Sequence, residues 1–215
     1  QVLLALEAEF QTELPRPVLI VLTPVEDAES EEEESIRSIH GVEAYAIASE
    51  NTIVFFVAPG AESREDEDHL ERTLQHELAH LVASRLGLEG KTWFDEGLAI
   101  ELEYADRHEE RLFRVPEPET LQMARRVHDT VGLAEVLHWA ESGSAVLKGE
   151  EEAFWEGRPL AHSLMRFLLV RQGADFGERG GFLEALLDIH RLNESEILAL
   201  EGEWHAWLEE GRSGS

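Results

Sequence analysis

The chain has 215 residues, 43% of them hydrophobic and 30% charged, with 18 Lys plus Arg against 46 Asp plus Glu and a formal charge of −28. That length and apolar content sustain one domain of ordinary size or two closely packed subdomains, and they exclude a chain disordered throughout. The acidity repels phosphate backbones and anionic lipid surfaces, which argues against nucleic acid as a partner, and the absence of cysteine excludes disulfides and thiolate metal sites, leaving His, Asp and Glu as strong ligands.

Val2, Leu3, Leu6 and Phe10 are spaced for a short amphipathic helix over residues 1–13, which Pro15 and Pro17 end. Val18 to Leu22 is a compact run rich in branched residues and predicts a strand. Glu26 to Ser35, containing Glu31-Glu32-Glu33-Glu34, reads as a solvated acidic loop and receives no function. Residues 44–48 and 52–57 then predict a hairpin turned at Glu50-Asn51.

From Ser63 the period changes. Ser63 with Asp66 resembles a capping box, and Leu70, Leu74, Leu78, Leu81 and Val82 mark one long helix running toward Gly87. A second helix follows, with Thr92 as the expected cap, Asp95 three residues on, and Trp93, Leu98, Ile100 and Leu102 as its apolar positions. Further helices are expected over 119–130, 151–172, 178–191 and 194–209, punctuated by Pro116, Pro118, Gly132, Gly143, Gly173 and Gly180-Gly181. The expected fold class is α+β: a small N-terminal β-sheet with an active-site helix, then a mostly helical C-terminal half. An N-terminal subdomain of residues 1–90 and a helical one of 91–211 would meet at a cleft, with 212–215 as a tail. No run approaches the roughly 18 apolar residues of a membrane span, and the first residues lack a basic region followed by an apolar core. Gln1 and Arg212 to Ser215 read as the edges of a piece of a longer protein, which leaves the compartment open, a secreted or cell-envelope location included.

The chemistry concentrates in His76-Glu77-Leu78-Ala79-His80. On a helix advancing about 100° per residue, His76 and His80 lie about 40° apart and one turn along, so both imidazoles reach one ion. Glu77 flanks that face and can take a proton from a zinc-bound water, which makes hydroxide available near neutral pH. With 10 His and 38 Glu in the chain, the pentapeptide arises by chance with an expectation on the order of one in ten, so its context must carry the inference. That context is a helical segment following strands and, further on, the segment Trp93-Phe94-Asp95-Glu96-Gly97-Leu98-Ala99, in which 15 residues separate Glu96 from His80. A turn at Gly87 would return this second helix beside the first, which makes Glu96 a candidate third ligand, the alternative being a surface helix carboxylate. Two neutral imidazoles and one carboxylate leave Zn²⁺ an open fourth position for water, the catalytic arrangement rather than a closed structural site.

HELAH followed by WFDEGLA resembles the gluzincin metallopeptidases, specifically peptidase MA-like domains, over roughly residues 65–210. The resemblance implies a zincin-like fold, His76, His80 and Glu96 as zinc ligands, and Glu77 as general base. Ala161 to Leu168 is similar to the family's later helix and Glu201 to Leu208 to its Trp-containing closing helix. In that later helix the family pattern has Tyr where this chain has Leu160, so the donor to a developing oxyanion is expected to be His162, with Tyr104 as runner-up. Glu103 is a candidate partner for the ligating histidines. His69 lies two helical turns from His76, too far for the same ion, and His40, His108, His128, His138, His190 and His205 lack a paired ligand spacing. The sequence therefore reads as a zinc metalloprotease, a hydrolase acting on a peptide or protein substrate, with the 44–57 hairpin offering an edge strand to it. The alternatives are a metal-retaining but catalytically weak binding or regulatory module of the same fold and, more distantly, a structural protein with a fortuitous pentapeptide.

Overall fold

A computed structural model describes residues 6–7, 10, 12, 18–24, 44–57, 64–108, 111–114, 118–128, 131–138, 151–174, 176 and 181–212. Strands β1 (Leu19–Pro24), β2 (Ala44–Ile47) and β3 (Thr52–Val57) form a sheet in the order β1-β3-β2. Thr52 to Phe55 of β3 are buried on both faces, as a central strand rich in branched and aromatic residues requires. The expected hairpin is present: β2 runs antiparallel to β3 from Ala44↔Phe55 to Ile47↔Thr52, and Asn51 takes the left-handed conformation (φ 51°) at its turn. β1 pairs parallel with β3 from Leu19↔Thr52 to Pro24↔Val57, and Leu19 to Leu22 are exposed on this outer strand.

Two long helices follow, α1 (Arg64–Arg85) and α2 (Thr92–Glu103). Gly87 ends α1 at φ 69°, and the amides of Leu88 and Gly87 donate back to the carbonyls of Ala83 (2.9 Å) and Ser84 (3.0 Å), satisfying the last turn while Leu88 enters the core. α2 then returns along α1. Its cap is Lys91 rather than the expected Thr92: the Lys91 carbonyl accepts from the amides of Phe94 (2.9 Å) and Asp95 (3.0 Å), with no side-chain cap bond. The short hairpin β4 (Asp106–His108) and β5 (Arg111–Phe113) follows, unannounced by any sequence signal.

The remaining helices are α3 (Glu119–Val127), α4 (Leu133–His138), α5 (Glu151–Arg171), α6 (Gly181–Arg191), α7 (Glu194–Leu198) and α8 (Glu201–Arg212). α3 stops three residues before its expected end, α4 is additional, and the helix expected over 194–209 divides at Ala199–Leu200. α7 begins with a capping box in which Asn193 and Glu196 exchange side-chain to backbone bonds. The expected 1–13 helix lies mostly outside the described residues; of it Leu6, Glu7 and Phe10 are helical, with Leu6 and Phe10 buried. The 26–35 loop, Ser63 and His40 also lie outside them, as do the side chains of His69 and His108. Among the described residues no helix is long and apolar enough to cross a membrane.

α5 is the axis of the helical half and packs on both α2 and α3, while α1 packs on α2 and on β2. One apolar core runs from Leu6 to Leu208 and joins the sheet side to the helical side. Trp204 fastens α8 to α5 by donating its indole N–H to Ser163 Oγ at 3.2 Å, and Ser163 in turn donates to the Leu160 carbonyl. α2 and α5 approach closely at Gly97, where an added Cβ would stand 2.7 Å from the Ala161 carbonyl oxygen and 3.0 Å from Met165 Cβ. Only glycine fits there without moving a helix. We expect Gly97→Ala to lower unfolding free energy by about 1–3 kcal/mol, measured by urea denaturation, and to displace the neighbouring Glu96.

Candidate metal centre

The carboxylate and imidazoles singled out by spacing come together at the α1–α2 contact. His76, His80 and Glu96 each offer a ligand atom, and these lie within 4.8 Å of one another. His76 Nε2 and His80 Nε2 are 3.2 Å apart, His76 Nε2 is 3.7 Å from Glu96 Oε2, and His80 Nε2 is 3.7 Å from Glu96 Oε1. Donors about 2.0–2.1 Å from a tetrahedral ion are about 3.3 Å apart, so an ion fits among these three with little movement. The donor set, two imidazoles and one carboxylate, suits zinc and also other borderline divalent ions.

A carboxylate faces the far nitrogen of each imidazole. His76 Nδ1 lies 2.9 Å from Glu103 Oε2, a contact that places the proton on Nδ1 and leaves the Nε2 lone pair facing His80 and Glu96. His80 Nδ1 is 3.4 Å from Asp95 Oδ1. α2 therefore supplies Asp95, Glu96 and Glu103 from one helix, Glu103 reaching back because α2 runs antiparallel to α1. Gln75, buried beside His76, donates its amide to the carbonyls of Leu102 and, at 3.2 Å, Ala105, which ties α1 to the end of α2.

Burial opposes the ionised forms of Glu77, Glu96 and Glu103, and the cations decide the outcome. For Glu96 the burial penalty is overcome by His80, His76 and Arg158, and its carboxyl is held below the usual range. Glu103 is lowered in the same way, chiefly through His76. For Glu77 burial prevails and its affinity for a proton rises despite His76 and His80, the direction that suits a general base. Burial works against a charged His80, but Asp95, Glu96 and Glu77 raise its pKa to about 9.

His162 is fully buried on α5, and both ring nitrogens have protein partners: Nδ1 is 2.7 Å from Thr120 Oγ1 and Nε2 is 2.9 Å from Glu101 Oε2. In this arrangement it has no N–H left to offer an oxyanion. Glu101, itself fully buried, also accepts from Arg114 Nε at 2.9 Å and Arg166 Nε at 2.5 Å. Burial lowers the basicity of His162, so the neutral ring accepts from Thr120 and donates to Glu101. Tyr104 lies between Arg72, 5.7 Å from its ring centre, and the His162 ring, 6.4 Å away and nearly parallel. Leu160 is buried in the core.

Sequence reasoning missed Arg158. Its Nε lies 3.5 Å from Glu96 Oε2, and its Nη2 lies 3.8 Å from Glu103 Oε2 and 3.4 Å from His76 Nε2. The sequence signal was its place two residues before the departure at Leu160. His128, His138, His190 and His205 stand elsewhere: His128 beside His205, His138 paired with Glu194 at 3.2 Å, and His190 against Phe94. Comparison with protein-family models, with curated proteins and with solved structures finds no match.

Proposed function

We propose that this chain is a zinc-dependent metallopeptidase of gluzincin type with a zincin-like fold. The observation that carries the proposal is the close grouping of His76 Nε2, His80 Nε2 and the Glu96 carboxylate, with Glu77 on the next position of the same helix. His76, His80 and Glu96 would hold the ion. Zinc, when bound, supplies Lewis-acid polarisation of a carbonyl and lowers the pKa of a water to near 7.

The chain's own residues supply the rest. Glu77 accepts a proton from the attacking water as the water oxygen bonds to the peptide carbon and the carbonyl π-electrons move to oxygen. It returns that proton to the nitrogen when the C–N bond breaks, so one water and one peptide give a carboxylic acid and an amine. Glu103 keeps His76 in the tautomer that presents Nε2. Among the described residues β2 is an outer strand packed on α1, which supports its use as the edge along which an extended peptide lies.

One observation favours the second reading, a metal-retaining binding module: the far wall has buried Leu160 where the resemblance calls for a Tyr hydroxyl. Metal analysis combined with digestion of a broad peptide library separates the two. The peptidase reading requires about one zinc per chain and cleavage that a chelator stops and zinc restores; stoichiometric zinc without cleavage would sink it. The charge on His80 makes a further prediction. With a metal-free pKa of about 9, His80 must lose its proton to bind, so affinity weakens as pH falls below that value. We expect zinc binding near pH 7.5 to release about one proton, read by calorimetry in buffers of different ionisation enthalpy.

A further inference from the structure

We propose that Arg158 is a catalytic residue of the reaction proposed above, donating from its guanidinium to the carbonyl oxygen as that oxygen becomes an oxyanion. The inference rests on the peptidase reading and names the group that completes its far wall. Arg158 sits on α5 across from α1 and α2, and it lies within 3.5 Å of two of the three donor groups, at His76 Nε2 and Glu96 Oε2. A carbonyl directed at an ion held by those donors would therefore come within reach of the guanidinium. A residue meant to bind a distant chain terminus would stand further out.

The guanidinium also faces a carboxylate outside the donor set, Glu103. A metal that draws on Glu96 still leaves Glu103 at 3.8 Å as the anchor for Arg158. His162 has both nitrogens engaged and Leu160 has no polar side-chain atom, whereas Arg158 reaches two of the three donor groups.

The test compares zinc-loaded wild type with Arg158→Gln and Arg158→Lys. Zinc per chain and thermal melting are measured first, then kcat and KM on a cleaved peptide, then the affinity of a phosphinic peptide whose tetrahedral anion imitates the oxyanion. We expect Arg158→Gln to keep one zinc, to lose about 10²–10³ in kcat with KM nearly unchanged, and to lose phosphinate affinity by a similar factor. Arg158→Lys should recover part of both, and it carries the comparison if the glutamine variant does not fold. Unchanged kcat, loss of zinc from both variants, or a defect confined to KM for peptides with a free C-terminal carboxylate would overturn the assignment. If wild type holds zinc but cleaves nothing, the peptidase reading fails on its own, and equal phosphinate affinity in wild type and variants would overturn the role of Arg158 separately.

Discussion

Glu77→Gln is expected to bind about one zinc per chain and to hydrolyse peptides about 10²–10⁴-fold more slowly than wild type. The amide has nearly the shape of the carboxylate but cannot accept the proton of an attacking water. Glu77 is not among the residues whose atoms converge as ligands, so metal content should survive the change while kcat collapses. Its buried position also argues for a chemical role, because burial raises its affinity for a proton and opposes its negative charge. Single-turnover measurements with metal analysis of the same sample check this, and undiminished hydrolysis by pure, zinc-loaded Glu77→Gln would refute the proposed mechanism.

Glu101→Gln is expected to produce the largest loss of stability, about 3–5 kcal/mol, by leaving the cations of Arg114 and Arg166 without their shared carboxylate. Glu101 is fully buried and accepts from Arg114, Arg166 and His162 together. In a chain of this length that corresponds to a fall in Tm of roughly 6–20 °C. The pH dependence has a definite sign. Burial alone would raise the Glu101 pKa, but His162, Arg166 and Arg114 lower it from 4.5 to about 2. The stability it contributes is thus present above about pH 4.5 and lost as pH falls from there toward 2. Urea titrations at intervals over that window should show a steep decline for wild type and a shallower one for the variant.

The residues of the candidate metal centre were legible because the regular helix carries them. His76 and His80 are one turn apart whatever the rest of the chain does, and Gly87 announced the turn that returns Glu96 to them. Gly97, which reads in sequence as part of a motif, turns out to be required by the close approach of α5. What escaped sequence reasoning depends on partners far along the chain. In a sequence with 46 acidic residues, nothing marks Glu101 as the buried one, since its environment comes from Arg114, His162 and Arg166. The same holds for the parallel pairing of β1 with β3, which no alternation within either strand encodes. His162 was chosen for its place near the departure at Leu160, and its side chain is instead committed to Thr120 and Glu101.

The order of these elements also bears on how the site assembles during folding. His76 and Glu103 are 27 residues apart, whereas His76 and Arg158 are 82 apart. Closing the longer loop costs about 1 kcal/mol more in chain entropy, and the shorter contact needs only the α1–α2 hairpin. The donors can therefore gather while α5 is still undocked, so under the proposed zinc reading a metal present during refolding would favour the α1–α2 pair early and leave the arrival of Arg158 as a later step.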